Sequence, residues 1–151
     1  MTSKRSISPP DPALLLDNQL CFALYSTSLA ITKLYQPLLA ELGLTYPQYL
    51  VMLVLWEHDD VTVSQLGERL FLDSGTLTPL LKRMEAAGLL ERTRSSVDER
   101  RVQIALTAGG HALKAQAAKV PACVVKAAHV PLAELMALKD DVQALRCQLK
   151  A

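Results

Sequence analysis

Long apolar runs are missing from this 151-residue chain. The longest, "YLVMLVLW" at 49–56, falls well short of the roughly 20 residues that cross a bilayer, so no membrane partner is expected. Cysteine is scarce. Cys21, Cys123 and Cys147 are an odd, widely spaced set that offers neither a disulfide framework nor zinc-ligand spacing. No metal or other cofactor is expected. An excess of charge of one sign is also lacking. With 16 basic and 15 acidic residues the formal net charge is +1, so any nucleic-acid binding must rest on a local patch. Aromatic residues are only 5% of the chain while 50% is hydrophobic, which points to helices built from Leu, Ala and Val. There is no CxxC, no cofactor-binding loop and no internal repeat, so an enzyme is not expected.

The stretch "MTSKRSISPPDP" is polar and proline-rich and lacks the apolar core of a signal peptide. It reads as a disordered arm over 1–12, on a chain expected in the cytoplasm, where thiols stay reduced.

Helix signals begin at Pro12 and Asp17, and Leu20, Leu24, Thr27, Ile31, Leu34 and Leu38 recur at helical spacing. Pro37 is expected to kink or break this helix near Tyr35, and Gly43 to end it. Thr45 caps a second helix with Pro47 in its first turn. "TVSQLGERL" predicts a short helix capped by Thr62 or Ser64. After the turn "FLD", "SGTLTPLLKRMEAAG" predicts another with Ser74 as N-cap and a stop at Gly88. "LLERTRS" and "RVQIALT", joined by "SVDER", alternate as a β-hairpin. Thr107 caps a long helix from Ala108. Pro121 and Pro131 punctuate the C-terminal region, and "PLAELMALKDDVQALRCQL" is a last amphipathic helix.

Two short helices around a tight turn, followed by a hairpin, describe a winged helix-turn-helix. The expected fold is mainly α with a small β-hairpin wing and dimerisation helices at both ends. A central domain this small cannot bury the apolar stripes of the end helices, which predicts a twofold homodimer. The expected organisation is an arm (1–12), a dimerisation helix region (13–44), a DNA-binding winged helix-turn-helix (45–107) and C-terminal dimerisation helices (108–151).

On a recognition helix, Ser74, Thr76 and Thr78 would face base edges or phosphate, with Lys82 and Arg83 reaching the backbone. Arg92, Arg94, Arg100 and Arg101 stand on the hairpin. Residues 82–101 hold six basic side chains against four acidic ones, a surplus of only two. Taken singly, each is equally an ordinary solvated charge; the order of elements is what makes DNA specific. The run from "SQLGERL" to "RRVQIALTAGG" resembles the MarR family of winged-helix repressors, including its Asp-x-Arg wing signature at Asp98 and Arg100. The resemblance implies that Asp98 orients wing arginines, that Arg100 enters a minor groove, and that a homodimer binds a palindromic double-stranded operator.

Cys21 lies near the start of the first helix, where the positive helix end favours a thiolate. A lone cysteine is also commonly a small buried hydrophobe, and residue chemistry alone leaves both readings open. "LLLDNQLCFALYS", "KLYQPLL" and "LTYPQYLVMLVLWE" are similar to the organic hydroperoxide sensor (OhrR) branch of the family. The resemblance implies that Cys21 is the peroxide-sensing thiol. It also implies that Tyr35 and Tyr46 hydrogen-bond it from the partner subunit and that an organic hydroperoxide is the inducer. Phe22, Leu24, Met52 and Trp56 are candidates for an apolar wall, each equally a core residue. Where two-cysteine members carry a resolving cysteine, this chain has Lys126. Cys123, one turn earlier, is the nearest substitute, Cys147 lies further off, and a low-molecular-weight thiol is the alternative resolving partner. A MarR-type repressor released by a non-covalent ligand is the competing reading.

Overall fold

The computed structural model describes residues 8–150, so most of the expected disordered arm, residues 1–7, lies outside the described residues. Two short 3-10 turns, Pro12–Leu14 and Leu16–Asn18, precede α1 (Leu20–Ala40). The order then runs α2 (Tyr46–Glu57), β1 (Val61–Thr62), α3 (Val63–Leu70), α4 (Ser74–Ala86), β2 (Leu90–Arg94), β3 (Val102–Leu106), α5 (Ala108–Ala117), α6 (Val120–Ala128) and α7 (Leu132–Gln148). The fold is mainly helical with a small antiparallel sheet, as expected of a winged helix-turn-helix. The sheet order is β1-β3-β2, so the hairpin β2–β3 gains a third strand that two residues gave no sequence signal for. Leu90 pairs with Leu106 at the base of the wing and Arg94 with Val102 towards its tip.

Capping explains the helix boundaries. Thr62 and Gln65 form a reciprocal box: Gln65 N–H donates to Thr62 Oγ1 at 3.1 Å, and Thr62 N–H to Gln65 Oε1 at 2.8 Å. Thr62, not Ser64, is therefore the cap. On α4 the expected N-cap Ser74 is corrected to Asp73. Its carboxylate accepts the Thr76 N–H at 2.8 Å, leaving Ser74 as the first helical residue. An ionised carboxylate accepts that orphan donor better than a hydroxyl and answers the positive helix end.

Two further expectations fail. The break expected at Pro37 does not occur: α1 continues through it to Ala40, and Leu39 beyond it is buried in the core. The long helix expected from Ala108 divides at residues 118–119 into α5 and α6, and Pro121 falls in the first turn of α6, where its missing N–H costs nothing. Gly110 lets α5 dock: a Cβ there would lie 2.1 Å from Leu89 O. Trp56 Nε1 donates to Gly110 O at 3.0 Å, tying α5 to α2.

The core is made by α2, α3, α4 and the sheet. Val51, Met52, Leu66, Leu77, Met84 and Ile104 are fully buried in it. The end helices behave differently. Leu39 alone is buried on α1, and no residue is buried on α7. Leu14, Leu16, Leu20, Phe22, Tyr25 and Leu29 are exposed at one end of the chain, and Leu132, Met136 and Leu138 at the other. Among the described residues no single helix is long and apolar enough to cross a membrane.

Candidate nucleic-acid interface and thiol site

Helix α4 has two faces. Leu77, Leu80, Leu81 and Met84 fix one in the core. Ser74, Thr78 and Lys82 recur every four residues and form a second stripe. That stripe lines a groove of about 650 Å³ together with Arg94, Arg100 and Arg101 of the wing. Of the residues expected to meet DNA, the fold brings together Ser74, Thr78, Lys82, Arg94 and Arg100. Thr76 and Arg83, seven residues apart on another stripe, are exposed but outside this groove.

The wing tip is ordered by Asp98. Its Oδ1 accepts the Arg100 N–H at 3.0 Å, and Arg100 Nε stands 3.8 Å from the same oxygen. Ser95 Oγ accepts the N–H groups of Val97 and Asp98 at 3.2 and 3.3 Å. Ser95 N–H donates to Arg101 O at 2.8 Å, closing the tip. The Arg100 side chain itself is 96% exposed, so it projects from a fixed backbone.

Sequence reading missed five residues. Ser64, Gln65 and Glu68 of α3 form the far wall of the groove. Glu85 holds Arg92 across the Gly88 turn, with no local spacing rule to reveal it. Tyr49 joins the expected tyrosine pair, and its position three residues after Tyr46 on one helix was a usable signal.

Tyr35, Tyr46 and Tyr49 cluster where α1 packs on α2. Ring centroids are 4.8 Å apart for Tyr35–Tyr46, 5.7 Å for Tyr35–Tyr49 and 6.4 Å for Tyr46–Tyr49. Burial, reinforced by its two neighbours, pushes the Tyr35 phenol up to about 12. Burial also raises Tyr46 and Tyr49, the latter helped by Tyr46. Burial therefore favours the neutral form of all three phenols.

Cys21 is exposed at the second residue of α1. Tyr35 follows fourteen residues later on the same unbroken helix, a separation of about 21 Å at 1.5 Å per residue. The thiol and the phenols of one protomer therefore cannot touch. Of the proposed wall residues, Phe22 is exposed, whereas Met52 is fully buried core. Cys123 on α6 and Cys147 on α7 are both exposed. A further groove of about 350 Å³ lies beside the cluster, lined by Tyr49, Leu53, Trp56, Ala117, Ala118 and Pro121 together with the charged Glu57 and Lys114.

Residues 33–117 match the family model of the transcriptional regulator SarA/Rot. The chain is 51% identical over 130 residues to the organic hydroperoxide resistance transcriptional regulator of Bacillus subtilis (strain 168), covering 86% of this chain and 88% of that protein. It is 50% identical over 136 residues to the HTH-type transcriptional regulator TtmR of Methylorubrum extorquens (strain PA1), covering 90% of this chain and 70% of the relative. Among solved structures it is similar to AbfR, a Staphylococcus epidermidis protein. Reduced AbfR bound to DNA gives 36% identity and a TM-score of 0.72, covering 89% of this chain and 94% of that one. Disulfide-formed AbfR gives a TM-score of 0.64. The chain belongs to the MarR family of winged-helix transcriptional regulators, in its organic hydroperoxide sensor (OhrR) branch.

Proposed function

We propose that this protein is a repressor that binds a palindromic operator as a homodimer and releases it when an organic hydroperoxide oxidises Cys21. The observation that carries the reading is the separation of Cys21 from the tyrosines. An exposed thiol stands at one end of α1 and a cluster of neutral phenols at the other, about 21 Å away. Only a second copy can join them, and the apolar side chains exposed around Cys21 and along α7 supply the surface to hold it. Residues 13–44 and 108–151 then form the dimer, and 45–107 bind DNA with the groove between α4 and the wing.

In the assembled site, the partner's phenols donate hydrogen bonds to the Cys21 thiolate. The thiolate attacks the peroxide O–O bond; sulfur is oxidised to sulfenic acid, and the alkoxide leaves as the alcohol after taking a proton. A second thiol displaces hydroxide from sulfur, giving a disulfide and water. The resulting strain on the dimer helices moves the recognition helices away from half-sites about 34 Å apart, a spacing with little tolerance. AbfR, a related protein, is solved reduced on DNA, overoxidised on DNA and with its disulfide formed, so a cysteine-based redox change is known in a relative. This chemistry is one turnover of a sensor, in the cytoplasm where DNA is.

The apolar groove beside Tyr49 favours a second reading, release by a non-covalent ligand. Operator binding by wild type and Cys21→Ser, before and after stoichiometric organic hydroperoxide, separates the two when intact mass is read on the same samples. The redox reading expects wild type to leave the operator and the serine variant to stay. If fully oxidised wild type stays bound, the redox reading fails.

A further inference from the structure

Glu85 lies in the last turn of α4 and Arg92 in the middle of β2. Glu85 Oε2 accepts the backbone N–H of Arg92 at 2.9 Å, and Oε1 accepts Nε and Nη2 at 3.4 Å each. In the order β1-β3-β2, β2 is an edge strand, so the Arg92 N–H turned away from β3 has no ladder partner. Such an edge group otherwise takes water or a foreign strand. Here a carboxylate of the recognition helix takes it, and takes the guanidinium as well. Both side chains are partly withdrawn from solvent, at 26% and 39% exposure. Arg92 lines the same groove as Lys82, Arg94, Arg100 and Arg101. Among the described residues Lys82, Arg94 and Arg101 form no ion pair, and the Arg100 pair is long and exposed.

We propose that Glu85 is a positioning residue for DNA binding: it fixes the wing strand to the recognition helix and keeps the Arg92 charge away from phosphate. Phosphate is then met by Lys82, Arg94, Arg100 and Arg101. The inference rests on the DNA-binding reading and on no redox step. A phosphate reaching for Arg92 must displace a carboxylate already bonded to both its backbone and its side chain. Arg92 therefore releases no counterion when DNA binds, although it sits in the groove.

Salt dependence reads this directly, because each cation that meets a phosphate steepens the slope of log K against log salt by about 0.9. The probe is a mixed-sequence duplex of about 30 base pairs, enough for two half-sites. The experiment uses the full-length reduced protein, with thermal melts to check folding. Arg92→Gln is expected to leave the wild-type slope unchanged, while Arg94→Gln lowers it by about 0.9 per protomer. Glu85→Gln keeps an acceptor for the Arg92 N–H but frees the guanidinium, so its slope steepens by about 0.9 per protomer. Over a fourfold rise in salt that is roughly a threefold larger loss of affinity for each protomer. If Arg92→Gln lowers the slope as Arg94→Gln does, Arg92 contacts phosphate and the proposal is overturned. A folded Glu85→Gln with the wild-type slope overturns it too, and should that variant not fold, Arg92→Gln decides alone. Wild-type protein with no salt-dependent duplex binding would remove the DNA-binding reading itself, a result distinct from either.

Discussion

The Tyr35 and Tyr46 rings lie 4.8 Å apart on two different helices, tilted by 48°, and burial raises both phenols. Tyr35 is pushed up to about 12, so folding favours its neutral form. A group raised in the folded state contributes fully below its unfolded value and loses that contribution as pH rises. The stability share of Tyr35 should therefore hold up to about pH 10 and disappear between about 10 and 12. Tyrosinate absorbance followed during alkaline titration should show a late step that Tyr35→Phe removes. A single step shared with the denatured protein would mean the cluster is open to water.

The same phenol has a kinetic consequence. If it donates to the partner's Cys21 thiolate, Tyr35→Phe removes one hydrogen bond to a charged acceptor, worth about 1.5 kcal/mol. Oxidation by an organic hydroperoxide should slow roughly tenfold with DNA affinity of the reduced protein unchanged. Stopped-flow thiol consumption measures the first and operator titration the second. Equal oxidation rates in the two proteins would place Tyr35 in the core only.

Asp98 should matter to DNA and not to folding. Its carboxylate fixes the Arg100 backbone in an exposed tip, so Asp98→Ala leaves the melting temperature nearly unchanged. The freed tip must be re-ordered on binding, at about 1 kcal/mol for one residue, or roughly fivefold in Kd. Wild-type affinity in Asp98→Ala would show that the tip needs no such order.

Gly110→Ala should do the reverse. Its Cβ would stand 2.1 Å from Leu89 O and 3.0 Å from Leu106 Cδ2, and backbone has little room to yield. Overpacking of that kind costs about 1–3 kcal/mol, which for a chain of this size lowers Tm by roughly 3–10 °C. An unchanged melting midpoint would mean that α5 does not dock on the Leu89 turn.

Much of this was legible because local rules decided it. Thr107 before Ala108 and Gly88 at the end of α4 each match a spacing that capping or backbone sterics demand, while the choice of Thr62 over Ser64 needed the box with Gln65. Ser74 was misplaced as a cap because Asp73 offers the same chemistry one residue earlier, beyond the resolution of pattern reading. The break expected at Pro37 does not follow because a proline removes only one helix bond, while Leu39 two residues on is buried in the core. The groove was half legible: the α4 stripe follows from helical period, but Glu68, Gln65 and Arg101 enter it only through the folding of three elements together. The thiol site was the reverse. Cys21, Tyr35 and Tyr46 were singled out by the resemblance alone, and their separation required knowing that α1 runs unbroken from Leu20 to Ala40.

Two further thiols of the chain are candidates to resolve Cys21 if a hydroperoxide oxidises it. Cys123 is exposed on α6, a helix that packs against α1, while Cys147 is exposed on α7, which buries none of its residues against the protomer. A disulfide needs Cα atoms within about 7 Å, so the geometry of the dimer selects between them. If Cys123 resolves the Cys21 sulfenic acid of the partner subunit, hydroperoxide alone should yield a covalent dimer in wild type and in Cys147→Ser, but not in Cys123→Ser. Non-reducing electrophoresis with intact mass reads this. If all three proteins remain monomeric chains carrying oxidised Cys21, and added low-molecular-weight thiol converts each to a mixed disulfide, the resolving partner is the small thiol. Operator release would then require that thiol in the assay. The two outcomes also differ in stoichiometry, because an intersubunit disulfide would act on both recognition helices as a pair. A mixed disulfide acts on each subunit separately and should give release that scales with the fraction of Cys21 modified.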